Sequence, residues 1–366
     1  MSGRRWPVFL LARELGIGGS ERQLAVTAAS LDRSVFEPHV GCFHEGFRGE
    51  ELRAAGVPVV RIPVTSFKSR TAVTGGRLMG RYIREHAIQL VHTFDTPLNV
   101  FGVPVAKAYR TPVVLSSQRA HRELSGRFRP LLRVSDRMSD GVVVNCESVK
   151  RQLVAEEGVS PARIQICYNG IDTAVFHPDG RQRPGGALTI GVVCALRPEK
   201  GLRTLMEAFA IARQHHPCIR LQFVGSGPML DDLQKLASEL CVSGVVNFEP
   251  TTSKVSEWLR KIDIFVLPSL SEALSNALME AMACGCAVIA SNVGGNPELV
   301  LDERTGLLFE PGDKESLAKK LAVLIENTEI RSTLASQASS FICNNFSLQA
   351  STRRMEEIYL RYLVAR

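Results

Sequence analysis

Thirteen short β-rich runs, most of them separated by helical stretches, restrict this chain to a parallel α/β architecture. They fall at 7–12, 39–43, 57–63, 89–94, 112–118, 141–146 and 164–169, and then at 188–196, 220–225, 245–249, 262–268, 287–292 and 306–309. Such β-rich runs, most of them followed by a stretch of helical length, describe a parallel sheet covered on both faces by helices. The alternation breaks once, at a Pro/Gly/Arg-rich stretch over 177–186, which reads as an interdomain linker. At 366 residues the chain is long enough for two cores. The expected division is a first domain over 1–176, the linker 177–186, a second domain over 187–346 and a last helix over 347–366. The first helix is expected to start at Ser20 as N-cap, with Gln23 three residues on in capping-box spacing.

Charge and cysteine usage narrow the function classes. No stretch approaches the roughly 18 apolar residues of a membrane span. The apolar run at 8–12 is too short for a signal peptide and suits a first strand, so a cytosolic protein is expected. The nine cysteines are scattered, without C-x-x-C or zinc spacing, as in reduced buried thiols. Residues 1–180 hold 24 Lys and Arg against 17 Asp and Glu, whereas residues 181–366 hold 20 against 20. The whole surplus therefore lies in the first half, which points it at an anionic surface or ligand. No helix-turn-helix, zinc-finger or RNP signature argues for nucleic acid. An anionic membrane face or a phosphorylated acceptor is the expected partner.

The richest segment runs from 262 to 300. A strand closed by Pro268 leads into a loop holding Glu272, and a helix beginning near Asn276 carries Glu280 before stopping at Gly285. Carboxylates beside a helix start can accept hydrogen bonds from ligand hydroxyls. The helix N-terminus offers N–H groups and a positive dipole end to an anion. Hydroxyls plus an anion describe a nucleotide sugar. Lys200, directly after a second-half strand, can hold the charge that grows on a departing diphosphate. Arg197 could add a contact or be a solvated loop residue.

The stretch from Glu272 through Ala273, Leu274, Ser275, Asn276 and Ala277 to Glu280 resembles the E-x7-E signature of retaining glycosyltransferases with the GT-B fold, specifically family 4. Five further segments resemble that family in order: Gly18-Gly19-Ser20-Glu21-Arg22, Tyr168-Asn169-Gly170-Ile171-Asp172 with Phe176, Arg197-Pro198-Glu199-Lys200-Gly201, Val224-Gly225-Ser226-Gly227-Pro228, and Val293-Gly294-Gly295-Asn296-Pro297-Glu298. The resemblance implies two Rossmann-like domains facing each other across a cleft, with the last helix crossing back onto the first. It implies that Glu280 binds ribose hydroxyls and that Glu272 binds the transferred sugar. Ala273, Leu274, Ser275 and Asn276 would present backbone N–H groups. The base would lie near Gly225, Gly227 and Glu249, and Gly18 and Gly19 would approach the diphosphate. Retention is implied without a protein nucleophile, the leaving phosphate assisting the incoming hydroxyl. A UDP-sugar is the favoured co-substrate and a GDP-sugar the second. No D-x-D closes a strand, so no metal and no separate cofactor are expected.

On the acceptor side the chain departs from the family. A histidine is common where this sequence reads Gln118-Arg119, and His92 and His121 are the nearest candidates, each alternatively a structural histidine. Arg119, Arg122, Arg127, Arg129, Arg133 and Arg137 make a basic stretch whose last three share a helix face. It is either a solvated face or a site for an acceptor phosphate or anionic lipid. Lys68, Arg70, Arg77, Arg81 and Arg84 form a second basic group. The reading is a hexosyltransferase acting on a glycan or lipid-linked acceptor in bacterial surface polysaccharide or glycolipid synthesis, cytosolic or peripheral on the inner membrane. The alternatives are a sugar-nucleotide epimerase of the same fold and a non-catalytic partner subunit. An NAD(P) oxidoreductase is excluded by the glycine spacing at 16–19.

Overall fold

The computed structural model describes residues 5–16, 18–121, 129–180 and 187–365. The chain divides into two compact units, Met1–Gly170 with Leu348–Arg366, and Ile171–Ser347. The boundary therefore falls at Gly170 and not in the stretch at 177–186. Residues 171–180 belong to the second unit, where Arg260 donates to the carbonyls of Val175 and His177. Residues 181–186 lie outside the described residues, as do Arg122 and Arg127.

The first unit holds β1 (Trp6–Glu14), β2 (Phe36–His44), β3 (Val59–Arg61), β4 (Leu90–Thr93), β5 (Val113–Gln118), β6 (Gly141–Val144) and β7 (Ile164–Ile166). All pair in parallel, in the order β3-β2-β1-β4-β5-β6-β7. Its helices are α1 (Gly19–Ser30), α2 (Phe47–Ala54), α3 (Arg70–Glu85), α4 (Thr96–Ala108), α5 (Arg129–Met138) and α6 (Glu147–Glu157). The second unit holds β8 (Leu188–Val193), β9 (Ile219–Val224), β10 (Val246–Glu249), β11 (Ile264–Leu267), β12 (Ala287–Ser291) and β13 (Leu307–Phe309), ordered β10-β9-β8-β11-β12-β13. Around them lie α7 (Leu202–His215), α8 (Leu230–Glu239), α9 (Val255–Leu259), α10 (Asn276–Ala283), α11 (Asn296–Leu299), α12 (Lys314–Glu326) and α13 (Thr328–Asn345). The last helix, α14 (Leu348–Val364), returns to the first unit.

Both sheets carry the Rossmann strand order, which reverses direction beside the first strand. The apolar runs are double-faced, as expected. Val8, Leu10 and Ala12 of β1 join a core with Tyr359 and Met355 of α14. Phe9 and Leu11, the alternate positions, join a second core with Met79 of α3 and Phe101 of α4. Side-chain period two sends neighbouring residues to opposite faces. One helix start differs from expectation. Gly18, not Ser20, is the N-cap of α1. Gln23 is buried, and its carboxamide clamps the Gly170 peptide by donating to the carbonyl (3.2 Å) and accepting from the N–H (3.1 Å). A long-range partner replaces the local box.

Candidate functional site

In the second unit the switch point lies between β8 and β11, and the loops leaving these two strands are bound to each other. Leu270 N–H donates to the carbonyl of Glu199 at 2.8 Å. Gly201 sits at φ +62°, where a Cβ would lie 2.0 Å from the carbonyl oxygen of Pro268, so only glycine permits this approach. The consequence is chemical. Lys200 from one loop reaches Glu272 from the other, with Nζ donating to Oε2 at 2.6 Å. Ser269 Oγ donates to the same oxygen at 3.2 Å. Burial opposes the charge on Lys200, but the attraction of Glu272 and its hydrogen bond outweigh it and raise the pKa. The lysine is therefore a fixed cation.

The surroundings hold Glu272 in place. Gly294, at φ +55°, lies so close that a Cβ would meet the Glu272 carbonyl oxygen at 1.6 Å. Gly295 N–H donates to the carbonyl of Ala273 at 2.6 Å. Ser275 caps α10, its Oγ accepting from Leu278 N–H at 3.2 Å. Ala273, Leu274 and Ser275 are buried, while Asn276 opens the helix, half-buried. Glu280 stands one turn on, only 3% exposed. A glutamate this buried on an apolar helix demands polar partners. Arg197 stays in the solvent, its guanidinium 4.0 Å from Glu199. Gly225 and Gly227 press against the carbonyls of Cys194 and Leu196. Glu249 acts there through its backbone, its carbonyl accepting from Gly225 N–H at 2.8 Å. Among the described residues no group of three or more His, Cys, Asp or Glu is placed to hold a metal ion.

In the first unit the acceptor-side candidates fare differently. His92 is wholly buried, with Nδ1 2.8 Å from Tyr359 Oη and Nε2 2.8 Å from Ser117 Oγ. Leu90 and His92 share the face of β4 that α14 covers, so alternation directs this ring inward. Burial, and then the charge of Arg119, hold its pKa well below the usual value. It is a neutral tie between β4, β5 and α14, not a group facing ligand. His121 is tied to α6 through Gln152 Oε1 at 3.0 Å. Gln118 is 3% exposed and donates to the Ala120 carbonyl at 2.6 Å.

Arg119 turns inward, donating to Asn169 Oδ1 at 2.6 Å with its guanidinium over the Phe94 ring. Arg129 and Arg133 both grip Glu157, each at 2.5 Å, and the Glu157 side chain is entirely buried beneath them. These three arginines are thus committed inside the unit, which corrects their reading as an acceptor-facing or membrane-facing stripe. The sequence shows the arginine spacing but not the glutamate that answers it from another helix. Arg122 lies outside the described residues.

What the sequence reading missed is an open concavity of about 510 Å³ at the carboxyl ends of the first sheet, lined by Arg13, Glu14, Phe43, His44, Thr65 and Phe67 among others. It adjoins the switch point between β1 and β4. There Asp95 caps α4 by accepting from Leu98 N–H at 2.9 Å and also accepts from Arg13 N–H. Burial pushes the Asp95 carboxyl up to about 6, although those two backbone bonds oppose it. The available signal was position alone: each lining residue closes or follows a strand.

Two Rossmann-ordered halves, the second with a lysine–glutamate pair at its switch point, define a GT-B protein. Comparisons agree. Residues 17–175 match the model of Glycosyltransferase Family 4, and residues 177–341 that of Glycosyl transferases group 1. A GDP-mannose-dependent alpha-(1-6)-phosphatidylinositol monomannoside mannosyltransferase of Mycobacterium tuberculosis is 31% identical over 296 residues, covering 75% of this chain and 76% of that protein. Sulfoquinovosyl transferase SQD2 of Arabidopsis thaliana is 27% identical over 272 residues, covering 68% of this chain and 52% of its own length. The chain spans about half the length of several curated relatives it matches. Anabaena Alr3699/HepE, solved with UDP and glucose, shares the fold with a TM-score of 0.84 at 22% identity, over 96% of this chain and 98% of that one. The chain belongs to the group 1, family 4 glycosyltransferases.

Proposed function

We propose that this protein transfers a hexose from a nucleoside diphosphate sugar to a hydroxyl of a glycan or lipid-linked acceptor, with retention of anomeric configuration and without a metal. The observation that carries the reading is the Lys200–Glu272 pair, which binds the loops after β8 and β11 together beside the start of α10. Lys200 and the N-terminal dipole of α10 take the diphosphate. Glu272 accepts hydrogen bonds from hydroxyls of the moving sugar, and Glu280 from those of the ribose. The bond from the anomeric carbon to the phosphate oxygen breaks while the acceptor oxygen bonds to that carbon. The acceptor's proton passes to the departing phosphate, whose growing charge Lys200 stabilises. Donor binding by Gly18, Gly19, Gly225, Gly227 and Glu249, and a further phosphate contact from Arg197, rest on family resemblance.

A UDP-sugar is the first donor in this reading. GDP-mannose stands close behind it, because the mycobacterial relative is named for that donor. The acceptor belongs to bacterial surface polysaccharide or glycolipid synthesis at the cytoplasmic membrane face. Among the described residues no helix is long and apolar enough to cross a membrane. The test is binding and slow hydrolysis across UDP- and GDP-sugars, with and without EDTA. One preferred donor, unaffected by EDTA, is the expected result. Loss of turnover in EDTA would refute metal independence, and no binding to any donor would favour a non-catalytic subunit.

A further inference from the structure

The positive surplus of the first half has to reach the surface somewhere, and the pair on α5 is not the place, since Arg129 and Arg133 are answered by Glu157 and Glu156 together. On α3, in contrast, Arg70, Arg77 and Arg81 are exposed, and Lys68 precedes them. Among the described residues none of these four side chains makes an ion pair or hydrogen bond, whereas Arg84 stacks over the Tyr109 ring. At 3.6 residues per turn, positions 70, 73, 77, 78 and 81 fall within an arc of about 140°. Val73 and Leu78, in the same arc, are 57% and 39% exposed, and Phe67 just before the helix is 38% exposed. The opposite face, with Met79 and Ile83, is buried in the core. Cations interleaved with exposed apolar side chains on one helix face suit the headgroup region of an anionic bilayer better than free solvent.

The position of this face gives it a use. Thr65 and Phe67 line the concavity at the carboxyl ends of the first sheet, and Ser69, two residues on, caps α3 by accepting from Thr71 N–H. Phe67 also stacks on Phe101, with ring centroids 6.0 Å apart, so the rim of the concavity nearest α3 is aromatic. We propose that the outward face of α3, headed by Phe67 and Lys68, is the surface on which this protein docks to an anionic lipid bilayer, and that a lipid-carried acceptor enters the neighbouring concavity over Phe67. The inference rests on the glycosyltransferase reading with a lipid-linked acceptor and names the surface that serves it.

The full chain is sedimented with vesicles of phosphatidylcholine alone and with equal parts phosphatidylglycerol. It should sediment only with the anionic vesicles and be released by salt. Arg77→Gln with Arg81→Gln should lower partitioning roughly 25-fold, each charge contributing about fivefold near such a surface. Val73→Ser with Leu78→Ser should lower it further at raised salt. Circular dichroism melts of these exposed-site variants should match wild type. Wild-type sedimentation by Arg77→Gln/Arg81→Gln would overturn the proposal, as would wild type that binds tRNA but not anionic vesicles. Donor hydrolysis, measured without lipid, separates the two readings. Protein that hydrolyses a donor yet ignores anionic vesicles overturns the α3 surface alone. Protein that sediments but hydrolyses no donor keeps the surface and overturns the transferase reading.

Discussion

Lys200 and Glu272 face each other at 2.6 Å, with side chains 21% and 13% exposed, so a diphosphate reaching the lysine has to compete with the glutamate. At an effective dielectric constant of about 20 the attraction across that distance is roughly 6 kcal/mol. Desolvation of both groups offsets most of it, which leaves a small net value for the intact pair. Removing one partner is different, because the other charge remains half-buried and unanswered. Lys200→Met should destabilise the protein by about 2–3 kcal/mol, less than for a fully buried pair because water reaches both groups. The double variant Lys200→Met/Glu272→Ala should recover about 2 kcal/mol relative to additivity. The ligand prediction runs the other way. Glu272→Ala frees Lys200, so a nucleoside diphosphate without its sugar should bind about 5–30-fold tighter, the equivalent of 1–2 kcal/mol, while sugar transfer is lost. Urea melts of the four proteins give the coupling, and calorimetric titration with UDP and GDP gives the affinities. A coupling energy below about 0.5 kcal/mol, or weaker nucleotide binding by Glu272→Ala, would refute the reasoning.

Gly294→Ala should cost at least about 3 kcal/mol and most of the activity, since a left-handed backbone and contact with the Glu272 carbonyl compound each other; melting and turnover check it. His92→Phe should destabilise by about 2–4 kcal/mol by stranding the Tyr359 and Ser117 hydroxyls. Its pH–rate profile should keep the wild-type shape, and a shifted profile would return His92 to the reaction. Asp95, raised from 3.8 to about 6, binds its proton more tightly in the folded protein than in the unfolded chain. Its contribution to stability therefore falls as pH rises from about 4 to 6, by up to about 3 kcal/mol, and is level above that. Asp95→Asn should flatten that slope of Tm against pH. Glu280→Ala should lose donor binding, as read by calorimetric titration; a variant that binds nucleotide like wild type would overturn the assigned role.

The sheet content was legible in the sequence. Each of the thirteen β-rich runs overlaps one strand, because a parallel strand covered on both faces is rich in apolar and β-branched residues, and that pattern is visible locally. So was the start of α10, since Ser275 caps from three residues away. Tertiary structure decided everything that depends on a partner from another element. Gln23 left its expected capping box for the Gly170 peptide, because buried amide groups there needed partners. The unit boundary moved to Gly170 because residues 171–180 found hydrogen bonds on Arg260. His92 turned inward because its position on β4 faces Tyr359, and Arg129 and Arg133 were answered by Glu157 from α6. Side-chain charge and spacing are written in the sequence. Whether a charge is spent inside the protein or offered to a ligand is set by the residue that folding brings opposite it.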